Sequence, residues 1–178
     1  RWKELEKEYD CEVQIVEDRP EVDNSKKFNE MFLKLEQEGP DALPLNEDLV
    51  NAAADADIII SHISPIPGKV IDRAEKLKAV CIMRSGVENV NVEYAAAKGV
   101  KVVNAPGRLA VPVAEYTVGL MISEMKNIAR SYHLMNKGEF KTSGYANSDY
   151  SVNLKGKTVG IIGCGAVGKR VANVMKAF

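Results

Sequence analysis

Cysteine, histidine and tryptophan are scarce in this sequence, which has three cysteines, two histidines and one tryptophan among 178 residues. Cys11, Cys81 and Cys164 are far apart and lie in apolar or glycine-rich surroundings, so their spacing matches neither a metal site nor a disulfide framework. We therefore expect reduced, buried thiols and no bound metal. Neither His62 nor His133 has an orienting carboxylate nearby in the sequence. We interpret His62 as a loop or substrate-edge residue and His133 as a surface or interface residue.

An excess of charge of either sign is also absent, because 24 basic and 25 acidic side chains give a formal net charge of -1. That balance gives no electrostatic reason to expect a nucleic acid or an anionic membrane as a partner. No apolar run approaches the length of a membrane span, and the charged helix predicted near Trp2 is unlike a signal sequence. With 46% hydrophobic residues available for a core, the sequence predicts a globular cytoplasmic protein.

The most informative motif is a glycine-rich turn, Gly163-Cys164-Gly165-Ala166-Val167-Gly168. An apolar run at 157–162 predicts a strand before it, and apolar spacing at 169–178 predicts a helix after it. In such units the first glycine permits a sharp turn, the second lets the backbone approach a pyrophosphate, and the third lets the helix pack on the strand. The helix N–H groups then face the phosphates. We predict a dinucleotide site, against the alternative of an ordinary turn that binds nothing.

The first hundred residues alternate between strand and helix signals. Strands are predicted at 12–16, 58–60, 79–83 and 100–103, and helices at 26–38, 47–54, 69–77 and 92–98, the last capped by Asn91. Repeated units of this kind predict a parallel sheet covered by helices on both faces. The chain opens with a helix where such a sheet is normally entered from a strand, so we expect residues to be missing at both ends.

A single long helix is predicted from Pro112 to Lys137, because apolar residues recur there at intervals of three and four. Val113, Thr117 and Leu120 add a second apolar stripe near its start. A helix that is apolar on two sides is packed on two sides. The helix could be an interdomain core element alone, or it could also pack against a second subunit. We favour the second interpretation, which predicts a homodimer.

Four motifs occur in the order found in a known family. They are Arg84-Ser85-Gly86-Val87-Glu88-Asn89-Val90-Asn91, Val103-Asn104-Ala105-Pro106-Gly107, the segment 113–121 and the segment 154–163. In type and order they resemble the D-isomer-specific 2-hydroxyacid dehydrogenases, a family that includes phosphoglycerate dehydrogenase-like enzymes. The resemblance is close after residue 45 and covers only the general layout before it. It implies an α/β protein with a flavodoxin-like parallel-sheet substrate domain, followed by the start of a Rossmann NAD(P)-binding domain.

The resemblance also implies a domain organisation. A substrate domain at 1–104 would lack its first strand, and 154–178 would be the truncated start of the Rossmann domain. The segment 105–153 would hold an interdomain hinge, a long dimer-type helix and an arm. We interpret the sequence as a fragment of such an enzyme.

Site residues follow from the same motifs. The loop of Ser85, Gly86 and Val87 comes after a strand, and from the residues alone a carboxylate site and a plain turn are equally good interpretations. The family uses this loop to bind the substrate carboxylate. By resemblance, Thr117 lies near the nicotinamide. The cofactor is expected to contact Gly163, Gly165, Ala166, Val167 and Gly168.

No catalytic residue can be assigned, because the family's catalytic arginine, glutamate and histidine align beyond Phe178. We expect the fragment alone to be inactive. The acidic residue that binds the ribose usually comes about 20 residues after the turn. That position would lie beyond Phe178, so NAD is expected but NADP is not excluded. The resemblance implies interconversion of a small 2-hydroxy acid and a 2-keto acid by hydride transfer. The alternative is an NAD(H)-sensing binding protein, like the corepressors called C-terminal binding proteins, which share this architecture.

Overall fold

The computed structural model of the protein describes residues 2–139 and 151–178 and divides into two compact units. Unit 1 is Arg1–Pro106 and unit 2 is Gly107–Phe178. The arm expected between the two domains falls largely on residues 140–150, which lie outside the described residues. The three-part domain division stays a prediction.

Asparagine side chains begin three of the helices in unit 1. Asn24 Oδ1 accepts hydrogen bonds from the N–H groups of Lys26 and Lys27 at 3.1 and 3.0 Å, and Asn91 Oδ1 accepts one from Tyr94 at 3.1 Å. These bonds satisfy N–H groups that have no partner inside the helix. The predicted cap at Asn91 is confirmed. The elements of unit 1 are α1 Trp2–Tyr9, α2 Ser25–Glu38, α3 Glu47–Ala53, β1 Ile58–Ser61, α4 Gly68–Arg73, β2 Ala79–Ile82, α5 Val92–Ala97 and β3 Lys101–Asn104.

The three strands form one parallel sheet in the order β1-β2-β3. Its register aligns Ile59 with Val80 and Val80 with Val102. Because the strands are parallel neighbours, their carboxyl ends meet at one edge, where open α/β sheets bind ligands. The loop 85–87 leaves β2 at that edge.

The core of unit 1 lies on one face of this sheet. Ile59, Val80 and Ile82 are buried there together with apolar side chains of α3, α4 and α5. On the other face Ile60 and Val103 are 48% and 53% exposed. Helices were expected on both faces of the sheet, but among the described residues of unit 1 they fully cover one face and leave the other partly exposed.

The strand predicted at 12–16 is wrong, because the structure assigns no strand there. The N–H of Val13 donates to the Glu6 carboxylate at 2.9 Å, so a side chain takes the place of a neighbouring strand. The helix predicted over 69–77 ends early, because Ala74 leaves the helical region with ψ at 73°.

The thiols differ from expectation. All three cysteines are free, but Cys11 and Cys164 are exposed, so the prediction of buried thiols is wrong for these two. Among residues 2–139 and 151–178, no group of three or more potential ligands could hold a metal ion. No helix in the same residues is long and apolar enough to cross a membrane.

The regular elements among the described residues of unit 2 are helices. Its elements are α6 Ala110–Met125, α7 Ile128–Asn136 and α8 Ala166–Met175. Ala114 and Val118 of α6 are buried against Val171 of α8. The helix predicted after the glycine turn is therefore confirmed, with its start moved to Ala166.

The long helix predicted over 112–137 is two helices. Asn127, between α6 and α7, has a φ of 56°, which is the left-handed region that asparagine tolerates better than most residues. Its buried Oδ1 accepts a hydrogen bond from Arg130 Nη1 at 3.0 Å, and its carbonyl accepts one from the N–H of Ser131 at 2.9 Å. The apolar spacing continues through the break, so periodicity could not reveal it.

The strand predicted at 157–162 is also absent from the structure, where helices are the only regular elements among the described residues of unit 2. A strand needs a neighbouring strand to accept and donate its backbone hydrogen bonds. The apolar pattern identifies a segment suited to a sheet, but unit 2 as described supplies no strand for it to pair with.

Candidate functional site

Backbone and side-chain hydrogen bonds to the end of β3 hold the loop after β2. Asn104 Nδ2 donates to the carbonyl of Ser85 at 2.6 Å, and Ser85 Oγ donates to the carbonyl of Ala105 at 3.3 Å. The N–H of Ala105 donates to the carbonyl of Arg84 at 3.0 Å. These bonds join the carboxyl ends of two adjacent strands and fix the loop backbone. Asn104 is thus a supporting residue, which its motif identified only as part of a turn.

Gly86 and Val87 leave their backbone N–H groups open. Both residues are half-buried, and neither N–H donates to another of the described residues. Successive open N–H groups at the carboxyl end of a parallel strand are suited to an anion such as a carboxylate.

A carboxylate of the protein lies over this loop. A Cβ on Gly86 would be 2.2 Å from Glu88 Oε2. Such a charge would repel an anionic ligand, but Arg84 Nη2 lies 3.2 Å from Glu88 Oε2 and 3.3 Å from Glu36 Oε1. The Arg84 side chain is only 14% exposed, and its guanidinium lies 4.7 Å from the centroid of the Phe32 ring. We did not predict Arg84 and Glu88 as site residues. The sequence signal that could have identified them is their opposite charge at a spacing of four residues around the loop.

The glycine turn in unit 2 has the geometry expected of its two outer glycines. Gly163 has a φ of 87°, a conformation that favours glycine. Gly168 is buried, and a Cβ there would be 2.2 Å from the carbonyl oxygen of Gly163 and 3.3 Å from Ile161 Cγ2. The third glycine therefore permits close packing of α8 on the preceding segment, which was predicted to be a strand and is not one in the structure.

The start of α8 is open to a ligand. Gly165 is its N-cap, and no side chain caps the first turn. A Cβ on Gly165 would meet nothing within 4 Å, so the space above the turn is free. The N–H groups and partial positive charge of a helix start favour phosphate oxygens, so the residues present fit a pyrophosphate. Ala166 is exposed here, whereas the Val167 side chain packs into the cluster between α6 and α8.

Thr117 lies on α6, one residue before the buried Val118. Its Oγ1 donates to the carbonyl of Val113 at 2.7 Å, a local bond within the helix. The structure places Thr117 in unit 2 with the glycine turn, and it places Ser85, Gly86 and Val87 together in unit 1.

Comparison with known proteins identifies the family. The model of the D-isomer specific 2-hydroxyacid dehydrogenase catalytic domain matches residues 10–176. The chain belongs to this family. It is 37% identical over 133 residues to the D-3-phosphoglycerate dehydrogenase of Methanocaldococcus jannaschii, covering 74% of this chain and 25% of that enzyme. It is 33% identical over 139 residues to the glyoxylate reductase of Aeropyrum pernix, covering 76% of this chain and 42% of that enzyme. The chain thus spans less than half the length of these relatives.

Solved structures agree on the fold of the D-2-hydroxyacid dehydrogenases. D-2-hydroxyisocaproate dehydrogenase has a TM-score of 0.64 at 21% identity, over 75% of this chain and 40% of that chain. Two further neighbours, each with a TM-score of 0.59 at 24% identity, contain nicotinamide cofactors. The Aquifex aeolicus D-lactate dehydrogenase, matched over 72% of this chain and 38% of its own, holds NAD and lactic acid. An acyclic imino acid reductase, matched over 76% and 43%, holds NADPH and D-Arg.

Proposed function

We propose that the protein containing this chain interconverts a 2-hydroxy acid and a 2-keto acid, with NAD or NADP as the hydride carrier. The observation that carries this proposal is the pair of open N–H groups at Gly86 and Val87, at the ligand-binding edge of the sheet. The same chain contains a glycine turn whose helix start suits a dinucleotide. Because the chain belongs to this dehydrogenase family, we assign the first feature to the substrate and the second to the cofactor of one reaction.

In that reaction, the residues of this chain bind and orient the substrate and the cofactor. Gly86 and Val87 donate their N–H groups to the substrate carboxylate, while Arg84 compensates the charge of Glu88 beside it. The first turn of α8 binds the cofactor pyrophosphate, and Gly165 leaves the space that it needs. Thr117 contacts the nicotinamide end of the cofactor. The bound cofactor supplies or accepts the hydride. Neither NAD nor NADP is favoured by any residue described.

We propose that residues 1–178 do not catalyse the reaction by themselves. The family resemblance aligns the catalytic arginine, glutamate and histidine beyond residue 178, so this chain supplies no equivalent proton donor. The alternative of a corepressor-like NAD(H) sensor gains no support from the relatives described above, which are named as dehydrogenases or reductases.

We further propose that the protein is a cytoplasmic homodimer that pairs through α6. Ala114 and Val118 bury one side of this helix, whereas Val113, Tyr116 and Leu120 on other sides are 44%, 71% and 53% exposed. An exposed apolar stripe on a helix is typical of a subunit contact. Sedimentation of the chain and of Tyr116→Glu tests this proposal. A dimer that becomes a monomer supports it, and a monomeric unmodified chain contradicts it.

The experiment that tests the proposed reaction is oxidation of NADH and NADPH by the longer protein with glyoxylate, pyruvate, hydroxypyruvate and 2-ketoisocaproate. We expect turnover of at least one acid and no turnover by residues 1–178. Glyoxylate would give achiral glycolate, whereas each of the other three acids should give the D-2-hydroxy acid. An L product, or binding of NADH without oxidation of either cofactor by any keto acid, would contradict the enzyme proposal. The second result would favour the sensor.

A further inference from the structure

The peptide group that joins Ser85 to Gly86 is held by a side chain from the neighbouring strand. Asn104 Nδ2 donates to the carbonyl oxygen of Ser85 at 2.6 Å. This peptide is trans and planar, so its carbonyl and its N–H point in opposite directions. The N–H of the same peptide belongs to Gly86. The bond that fixes the Ser85 carbonyl therefore also fixes the direction of the Gly86 N–H.

The sheet explains why Asn104 reaches this peptide. The strands β2 and β3 are parallel, and their last register pair is Ile82 with Asn104. Asn104 lies two residues after Val102, whose side chain packs against the core, so both side chains project from the same face of the sheet. Asn104 itself is exposed at the carboxyl edge, where the chain of β2 continues into the loop 85–87. Its carboxamide is therefore available to the loop and is not needed by the core.

The other end of the loop is held by the backbone. The N–H of Val90 donates to the carbonyl of Val87 at 2.9 Å, which closes a turn over 87–90. Val90 also forms a parallel bridge with Ile66, which ties this turn to the segment after β1. The peptide after Val87 is thus held without help from Asn104. The two open N–H groups lie between a side-chain bond at the start of the loop and a backbone turn at its end.

Gly86 makes the side-chain bond important. Glycine has no Cβ and populates a wider range of φ than other residues, so local sterics do not set the direction of its N–H. An anion that binds to unaimed N–H groups has to order them, and this ordering opposes binding. Donors that already point toward the ligand avoid that cost.

We propose that Asn104 is the positioning residue of the carboxylate loop, because it holds the Ser85 carbonyl and so aims the Gly86 N–H at the substrate carboxylate. The inference rests on the proposed function, which assigns the carboxylate to Gly86 and Val87. Asn104 touches neither substrate nor cofactor in this account and acts through the peptide alone. Its loss should weaken recognition of a carboxylate without unfolding unit 1.

The first measurement needs no ligand. Residual dipolar couplings of the isotope-labelled 178-residue chain report the direction of each N–H bond. In Asn104→Ala the coupling of Gly86 should change several times more than the couplings of residues in β2 and β3. Asn104 is exposed at the end of a strand, so this variant should keep the fold. A Gly86 coupling that is the same in both chains would overturn the inference.

The second measurement is binding of D-lactate, with the neutral D-lactamide as its reference. The two compounds share a hydroxyl and a methyl group, but only D-lactate offers a charged acceptor to the open N–H groups. Chemical-shift titration of the Gly86 and Val87 amides gives both affinities. Asn104→Ala should lower the affinity for D-lactate about tenfold, the value of one hydrogen bond to a charged group, and change that for D-lactamide less. A preference for D-lactate that Asn104→Ala retains in full would overturn the inference.

Asn46→Ala is the matched control. Asn46 Nδ2 donates to the carbonyl of Asp18 at 2.9 Å, so this variant loses a bond of the same kind in another loop of unit 1. It also loses the cap of α3 and with it some stability. The Gly86 coupling and the D-lactate affinity should nevertheless stay unchanged. A loss of affinity as large as in Asn104→Ala would mean that general destabilisation causes both losses, and the inference would be wrong.

The two measurements separate failure of this inference from failure of the proposed function. If D-lactate shifts neither the Gly86 nor the Val87 amide of the unmodified chain, the proposed carboxylate site is overturned and the inference with it. If D-lactate shifts both amides and Asn104→Ala binds it equally well, the carboxylate site is supported and only the inference is overturned.

Discussion

Gly168 lies directly against the carbonyl oxygen of Gly163, since a Cβ on Gly168 would come within 2.2 Å of that oxygen. The oxygen belongs to the backbone and cannot rotate away as a flexible side chain would. The start of α8 therefore requires glycine at position 168 for a steric reason that does not depend on any ligand. Gly165 is different, because the space beside it is empty.

Gly168→Ala should destabilise unit 2. The added methyl group forces α8 away from the turn, and overpacking of this kind costs about 1–3 kcal/mol. Urea unfolding, followed by the amide resonances of α8, measures the change in the free energy of unfolding. An unfolding free energy equal to that of the unmodified chain would show that the turn does not hold α8 as closely as the structure describes.

Gly165→Ala should leave stability nearly unchanged and weaken cofactor binding instead. Its methyl group meets no protein atom within 4 Å, so the free energy of unfolding should change by less than about 0.5 kcal/mol. The same methyl group enters the space proposed for the pyrophosphate, so NADH affinity should fall by about tenfold or more. Fluorescence titration with NADH measures this loss. Unchanged NADH affinity in a stable Gly165→Ala would remove the turn from the cofactor site.

Local sequence patterns predicted the parts of the fold that depend on neighbours in the chain. The apolar runs that became β1, β2 and β3, the cap at Asn91 and the glycines of the turn all act within a few residues. The strand predicted at 157–162 failed because pairing depends on another strand and not on local composition. The break at Asn127 was invisible because a single left-handed residue leaves the apolar spacing unchanged.

Contacts between distant residues limited what could be predicted of the candidate site. The loop 85–87 and the glycine turn were found from their motifs. Arg84 meets Glu36 across 48 positions, and no sequence pattern links the two.

Arg84→Met should weaken binding of 2-hydroxy acids. Without the guanidinium, the Glu88 carboxylate over Gly86 is no longer compensated, and its repulsion of the substrate carboxylate should lower affinity about tenfold. The double variant Arg84→Met with Glu88→Gln removes the repelling charge and should restore most of the affinity. Calorimetry at low and high salt measures both effects, since screening should reduce the loss. A loss that persists in the double variant would mean that Arg84 acts through packing on Phe32 instead.

Asp72 should make stability depend on pH in acid. Lys98 Nζ lies 2.6 Å from Asp72 Oδ1, and the Tyr94 hydroxyl donates to the same carboxylate at 2.8 Å. The hydrogen bond from Lys98 is the largest cause that lowers the pKa of Asp72, and the hydrogen bond from Tyr94 is the next. The same contacts join α4 to α5. The pKa of Asp72 is lower in the folded chain than in the unfolded chain, where it is about 3.9, so the ionised carboxylate stabilises the fold at pH values above the unfolded pKa. This stability is lost as the pH falls through the folded pKa.

The measurement for Asp72 is the difference in unfolding free energy between the unmodified chain and Asp72→Asn as a function of pH. The difference should be present at neutral pH and should disappear in strong acid. Lys98 has a raised pKa through the same contact, so the stabilisation should also be lost at strongly alkaline pH, as Lys98 deprotonates. A difference that stays constant from neutral pH into strong acid would contradict this account.

Asn127 should tolerate glycine better than alanine. Alanine at a φ of 56° costs about 1–2 kcal/mol of backbone strain, and it also removes the Oδ1 that accepts from Arg130. Glycine adopts this φ without strain, so Asn127→Gly should avoid the backbone cost and lose the side-chain interactions of Asn127, among them the hydrogen bond from Arg130, worth about 1 kcal/mol. Urea unfolding of both variants measures the order, with Asn136→Ala at the end of α7 as a control that should change little. Equal stability of Asn127→Gly and Asn127→Ala would indicate that the two helices continue as one through this position.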